Sequence, residues 1–287
     1  MKDLRAKADM LVEALPYIRQ WAGTTMVVKY GGAAMVSPEH KRHVAQDLVL
    51  LQHVGIKTVV VHGGGPRISE LMQRLGKEPV FVEGQRVTDA ETMEIAQMVL
   101  VGSISQDLVG HIYQAGGRAV SISGKDGQTI RAKKKRGAGE VDLGQVGDIT
   151  EVNPELILSL ADAGYMAVIS TIGIGEDGMS YNINADTAAG AVAAALGAEK
   201  LIVLSDVPGL LRDPSDEASL ISELKLDEAK ALIKGGHIEG GMKPKLQGCV
   251  KALEGGVKRA HLLDGRLAHC ILMELFTDRG VGTMIEG

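Results

Sequence analysis

Two apolar runs, Met26-Val27-Val28 and Thr58-Val59-Val60-Val61, each end in a glycine cluster that leads into a helix start. The first passes through Lys29-Tyr30 into Gly31-Gly32, the second through His62 into Gly63-Gly64-Gly65-Pro66. Short unbroken apolar runs suit strands buried on both faces, as in a parallel sheet. Ser37-Pro38-Glu39 is a serine cap with proline at the first helical position, and Pro66 marks a second helix start. A strand that exits through bare glycine amides into a helix N-terminus is a ready place for anionic oxygens. In an open α/β sheet that place lies at the carboxyl ends of the strands, where Lys29 would project. Gly31 would let the chain turn, and Gly32 would offer its amide. One such exit alone is also what an ordinary turn beside a solvated lysine looks like. The repeat is what constrains the fold.

The rest of the chain keeps the alternation. Leu4, Ala8, Leu11, Val12, Leu15 and Ile18 form an amphipathic helix over 3–20, with a kink expected at Pro16. It either covers the sheet or is an arm that packs on another subunit, with Tyr17 and Trp21 as anchors. Thr88 and Glu91 form a capping box that opens a long helix reaching about residue 115. Strands are predicted at 118–123, 166–171, 201–204 and 259–263, and β-hairpins at 128–152. Helices are predicted from Asn153-Pro154-Glu155, over 187–196, 226–233 and up to 254, then a closing helix and strand. Gly173-x-Gly175-x-x-Gly178 formally matches a dinucleotide fingerprint, but Glu176-Asp177-Gly178 is a hairpin turn and no helix follows. The class is α/β on a largely parallel sheet, with a natural division near residues 173–178.

Bulk properties narrow the function. A formal charge of −5 argues against a general nucleic-acid binder. Arg131 to Arg136 holds five basic residues in six, but no aromatics interleave, so an exposed hairpin is the better reading. No apolar run approaches the roughly 20 residues of a membrane span. Asp3, Asp9 and Glu13 interrupt any signal-peptide core. Cys249 and Cys270 make neither a disulfide framework nor a metal site. The expected setting is a soluble protein of the cytoplasm.

Three features converge on one chemistry. Lys29 ends a strand beside glycines, Asp186 sits in Asn182-Ile183-Asn184-Ala185-Asp186 at a helix start, and Lys245 follows Gly240-Gly241-Met242-Lys243-Pro244 at another. Two lysines on separate lobes, with an aspartate between them, suit phosphoryl transfer, where charge spreads over oxygens and fixed cations stabilise it. Each has a plainer use. Asp186 or Asn184 alone reads as a helix cap, Lys245 as a surface lysine, and Arg86 as an exposed arginine, though one before a capped helix suits a carboxylate ligand. His62 reads as structural, because no second metal-binding residue lies at a suitable spacing.

These segments, with Gly84-Gln85-Arg86-Val87-Thr88 and Leu204-Ser205-Asp206-Val207-Pro208-Gly209, occur in an order that resembles the acetylglutamate kinases of the amino acid kinase family over essentially the whole chain. The resemblance implies an open αβα sandwich on one mainly parallel sheet of about eight strands, in two lobes. Residues 1–23 would be an N-terminal helix for oligomerisation and regulation, 24–178 the N-acetyl-L-glutamate lobe, and 179–287 the ATP lobe with a C-terminal regulatory segment. The substrate's γ-carboxylate would attack the γ-phosphorus of ATP in line, with Mg2+ carried on the nucleotide phosphates and no metal held by the protein. Lys29 and Lys245 would stabilise the transition state and Asp186 would orient both. Gly32, Gly64 and Gly65 would offer amides to the phosphoryl group and substrate. Arg86 and Asn182 would hold the α-carboxylate, and Asp206, Gly209 and Lys245 would border the nucleotide. Lys243 departs from the family, whose members usually carry an apolar residue there, while Pro244-Lys245 keeps the register.

The N-terminal helix and the segment from His269 through Glu274 to Gly282 resemble those of arginine-inhibited hexamers, built as trimers of dimers. Tyr17, His269, Glu274 and Gly282 would then form an L-arginine site, with Glu274 on the guanidinium. A PII-type signalling partner is left open. The alternatives are a kinase of the same fold for glutamate, aspartate, carbamate or UMP, and a non-catalytic arginine sensor. Intact Lys29, Asp186 and Lys245 argue against the sensor.

Overall fold

A computed structural model describes residues 2–137, 141–236, 238 and 240–287, with only the backbone at 2, 3, 6–8 and 33. The chain begins with α1 (Lys2–Trp21), β1 (Thr25–Tyr30), a 3-10 turn at Gly32–Met35 and α2 (Pro38–His53). It continues through β2 (Lys57–His62), α3 (Gly65–Arg74), β3 (Phe81–Val82), β4 (Gln85–Arg86) and α4 (Ala90–Gln97). A π-helical stretch, Met98–Ile104, joins α4 to α5 (Ser105–Gln114). Then come β5 (Ala119–Ser123), β6 (Ile130–Arg136), β7 (Asp142–Val152), α6 (Glu155–Asp162), β8 (Met166–Ser170), β9 (Ile172–Ile174) and β10 (Ser180–Asn182). The last part is α7 (Ala185–Ala195), β11 (Lys200–Ser205), β12 (Glu223–Lys225), α8 (Leu226–Lys234), α9 (Met242–Glu254), β13 (Arg259–Asp264), α10 (Cys270–Leu275) and β14 (Thr283–Glu286).

Eight strands form the main sheet in the order β12-β14-β13-β11-β1-β2-β8-β5. The six from β13 to β5 run parallel, and β14 pairs antiparallel with β13. The chain leaves β1 toward β2 on one side and later returns to β11 on the other. β1 therefore stands at the topological switch, where an open sheet leaves a crevice at its strand ends. Helices cover both faces, so this is the αβα sandwich.

The two-residue period of β1 sorts its side chains. Met26, Val28 and Tyr30 pack in the core with α2 and α5, while Val27 packs with α7 and α9. Lys29 shares the face of Val27. On that face α7 and α9 cross closely. A Cβ on Gly190 would strike the Gly248 carbonyl, and one on Gly248 would strike the Asp186 carbonyl. Glycine at both positions lets α9 lie against the first turn of α7.

Several expectations need adjusting. The long helix after residue 88 exists, but its middle is π-helical. Its cap is Asp89, which accepts from the Thr92 amide at 2.8 Å, while the Thr88 hydroxyl turns back to the Arg86 carbonyl. Asp89 prevails over Thr88 because a carboxylate is the stronger acceptor at a helix start. The 128–152 region is an antiparallel β6/β7 hairpin, apart from residues 138–140, which lie outside the described residues. Its basic run is answered by acids on β7, with Arg131–Glu151 and Lys134–Asp142 both at 2.8 Å. β9 and β10 pair antiparallel across a turn at 175–178, and no helix follows it directly, in line with rejecting the fingerprint.

α1 continues through Pro16 to Trp21. Leu4, Leu11, Val12 and Leu15 on it are exposed, and the side chain of Ala8 lies outside the described residues. Tyr17 and Trp21 anchor the helix on its own chain, through Asp278 and the Leu275 carbonyl. Among the described residues no helix is long and apolar enough to cross a membrane.

Candidate functional site

Lys29 meets Asp186 in an ion pair at 2.9 Å, and both side chains are nine-tenths buried. Their approach follows from the fold. Lys29 is the next-to-last residue of the central strand, and Asp186 lies in the first turn of α7 beside it. The capping role suspected for Asp186 belongs to Asn184, whose side chain accepts from the amides of Asp186 and Thr187 at 3.0 Å. The Asp186 carboxylate is thereby left for the lysine. Breaking such a pair from one side leaves an uncompensated charge, at a cost of about 3–5 kcal/mol.

The positive φ at the first glycine exit falls on Gly32, at +61°. Gly31 serves differently than expected. A Cβ there would lie 3.0 Å from the Lys29 ammonium, so the bare glycine leaves room for the lysine to fold back. The two exits are joined by the Gly63 amide, which donates to the Tyr30 carbonyl at 3.3 Å.

Lys29, Gly32, Gly64, Gly65, Arg86, Asn182 and Asp186 all line one cleft of about 810 Å³ at this end of the sheet. Arg86 is buried and not the exposed arginine of its plainer reading. Its guanidinium donates to the Gly65 carbonyl at 2.8 Å and to the Ser69 hydroxyl at 2.7 Å, and it lies over the Phe81 ring. Burial lowers its pKa. The Asn182 amide donates to the Thr88 hydroxyl at 3.3 Å. Lys41 and Asp107, which carry no motif, pair at 2.7 Å and also line the cleft.

Lys245, Asp206 and Gly209 are not among the lining residues. The Lys245 ammonium donates to the Gly241 carbonyl at 3.0 Å, one turn before the Gly248 crossing with α7. Lys243 is exposed. Asp206 is exposed at the end of β11 and accepts from Ser205, and Gly209 packs against Thr283 of β14. Among the described residues no group of three or more His, Cys, Asp or Glu side chains is placed to hold a metal ion.

The residues assigned to arginine fall along the C-terminal segment. The Tyr17 hydroxyl donates to Asp278. Glu274 is buried; it accepts from His261 and from the Val281 amide, both at 2.7 Å. Burial works to raise its pKa, but the His261 contacts and the amide hold it below the usual carboxylate value. His261 in turn meets Lys200, which lies over the Trp21 ring and whose pKa burial lowers to about 8. Gly282 sits against the backbone of β13. His269 stands apart from this chain of contacts. Its φ is +58°, and it meets the buried Asp47 of α2 at 2.6 Å. Burial pushes Asp47 up to about 6. Asp47 carried a signal that went unused: it shares the apolar stripe of Val44, Leu48 and Leu51.

An α/β sandwich with a buried lysine–aspartate pair between two glycine exits is the framework of a phosphotransferase. A family model described as the amino acid kinase family matches residues 24–264, and the chain belongs to that family. Within it the chain stands with the acetylglutamate kinases. That of Caldanaerobacter subterraneus subsp. tengcongensis is 55% identical over 279 residues, covering 97% of this chain and 93% of the relative. That of Moorella thermoacetica is 53% identical over 286 residues, covering 97% of each.

Among solved structures, N-acetylglutamate synthase from Neisseria gonorrhoeae complexed with coenzyme A and N-acetyl-glutamate superimposes with a TM-score of 0.86 at 29% identity. The match covers 98% of this chain and 63% of that one. The same synthase complexed with coenzyme A and L-arginine gives 0.83 at 28%, over 97% of this chain and 65% of that one. Carbamate kinase from Giardia lamblia shares the fold at a TM-score of 0.67 and 18% identity, over 92% and 99% of the two chains.

Proposed function

We propose that the chain transfers the γ-phosphoryl group of ATP to the γ-carboxylate of N-acetyl-L-glutamate, giving N-acetyl-L-glutamyl 5-phosphate for arginine biosynthesis. The observation that carries the mechanism is the buried Lys29–Asp186 pair at the mouth of two glycine exits. The carboxylate oxygen attacks the γ-phosphorus, an O–P bond forms, and the bond to the β,γ-bridging oxygen breaks as ADP leaves. A side-chain carboxylate has an ordinary pKa near ~4.3 and is already ionised at neutral pH, so no general base is needed. Lys29 neutralises charge on the moving group, and Asp186 holds Lys29 in place. The amides of Gly32, Gly64 and Gly65 face the same oxygens.

Arg86 and Asn182 bind the α-carboxylate. Lys245 completes the charge from the other side once its ammonium leaves the Gly241 carbonyl, and Asp206 and Gly209 border the nucleotide. Mg2+, carried on the nucleotide phosphates rather than held by the protein, would supply further charge neutralisation there. We assign residues 24–178 to the substrate lobe and 179–287 to the nucleotide lobe, with 1–23 as an oligomerisation helix.

The exposed apolar stripe of α1 supports a homohexamer in which that helix packs on another subunit. Deleting residues 1–20 should leave dimers, and a truncated protein that still sediments as a hexamer would refute the arrangement. L-arginine is the proposed allosteric inhibitor at Tyr17, His269, Glu274 and Gly282, a reading supported by the arginine complex of the structurally similar synthase. Two unpaired, buried cysteines support the cytoplasm as the chain's place.

ADP release tests the whole reading. It should appear with N-acetyl-L-glutamate, and fall when arginine is added. Turnover of glutamate, aspartate, carbamate or UMP in its place would overturn the substrate, and arginine binding without any turnover would make the chain a sensor.

A further inference from the structure

We infer that His62 and Ser105 are positioning residues for the proposed transfer, tying the 63–65 glycine turn to the π-helical stretch 98–104. The inference rests on the proposed reading of Gly64 and Gly65 as amide donors.

His62 is fully buried at the end of β2, and both ring nitrogens are engaged. Nδ1 lies 3.1 Å from the Gly63 carbonyl, and Nε2 lies 2.8 Å from the Ser105 hydroxyl. A carbonyl only accepts, so the proton sits on Nδ1, and Nε2 then accepts from Ser105. Burial pushes the ring's pKa down to about 4, which keeps this neutral tautomer near neutral pH.

Ser105 is the first residue after the π-helical stretch. The same stretch lays two side chains over the turn. A Cβ on Gly64 would overlap Ile104 Cδ1 and lie 2.8 Å from Leu100 Cδ2. The turn is thus held both by apolar contact with Leu100 and Ile104 and by the His62–Ser105 hydrogen bond. A π-helical insertion re-aims the residues beyond it, and such insertions concentrate at functional sites. In a regular helix over this stretch, Leu100, Ile104 and Ser105 would not all face the glycine turn. The bland alternative is a core histidine with satisfied nitrogens that affects stability alone.

Three variants separate the two. Ser105→Ala cuts the link at Nε2, His62→Asn keeps a donor near the Nδ1 position while losing that same link, and the double variant combines them. Each single variant should lower kcat about 3–10-fold, the loss of one hydrogen bond, with KM for both substrates within about twofold. The double variant should be no worse than the weaker single, because the two changes break one link. Amide hydrogen exchange of a peptide covering residues 63–65 reads the same link without turnover, and should quicken in Ser105→Ala. Unchanged kcat and exchange with only a lower Tm would overturn the inference. An inert wild type would instead sink the proposed reaction, and the exchange measurement would still decide whether this link exists.

Discussion

The two lysines proposed to flank the transferred group stand in opposite conditions. Lys29 is buried in the middle of the sheet and ion-paired with Asp186 at 2.9 Å. Lys245 sits in the first turn of α9, between Gly240-Gly241 and the crossing with α7, and its ammonium rests on a backbone carbonyl. One half of the proposed site is built into the sheet; the other hangs on a glycine-flanked helix end. The crossing at Gly190 and Gly248 is what ties the two halves together. We therefore propose that adjustment on substrate binding belongs to the Lys245 side, because moving Lys29 would disturb a buried ion pair and the central strand.

The largest test of this contrast is Lys29→Ala. It should lower kcat by roughly 10³-fold and unfolding free energy by about 3–5 kcal/mol, since Asp186 is left buried and unpaired. Urea titration beside steady-state kinetics reads both, and an unchanged midpoint would erase the difference between the lysines.

The sheet side should also be acid-labile. His62 has a depressed pKa of about 4 in the folded chain against an ordinary 6.5, so its contribution is complete above pH 6.5 and is lost as pH falls toward 4. About 3 kcal/mol is at stake across that window. Tm followed from pH 7 to 4 should fall less steeply in His62→Gln than in the wild type.

Lys245→Ala should cost about 10²-fold in kcat, with little change in substrate binding, because its charge matters most in the transition state. Its unfolding free energy should stay within about 0.5 kcal/mol of the wild type, as for other groups without buried partners. A large loss of stability here would place Lys245 in the built half. Gly248→Ala should force α9 off the Asp186 carbonyl and lower unfolding free energy by about 1–3 kcal/mol. A crystal structure of that variant with Asp186 and Lys245 unmoved would break the proposed coupling.

Much of the built half was legible in the sequence, because its signals are local. The central strand β1, the paired glycine exits and the Asn-x-Asn-x-Asp cluster are each read over a few residues. What was missed depends on contacts across the chain. Thr88 and Asp89 both suit a cap, and the structure selects Asp89, whose carboxylate also meets Lys77 at 2.8 Å. The π-helical stretch has no composition of its own, so Ser105 could not be placed beside His62. The turn falls on Gly32 and the room for the folded-back Lys29 side chain on Gly31, a division that the backbone pattern does not encode. Asp47 and Lys200 were visible as charges on apolar elements, but their partners His269 and His261 lie far along the chain.

The central claim is that an acyl phosphate forms in the Lys29–Asp186 cleft. Hydroxylamine traps such a product as a hydroxamate, measured for wild type and Lys29→Ala with ATP and N-acetyl-L-glutamate. Hydroxamate from the wild type and only background from Lys29→Ala is the predicted result. ADP release without hydroxamate, or equal hydroxamate from both proteins, would contradict the account.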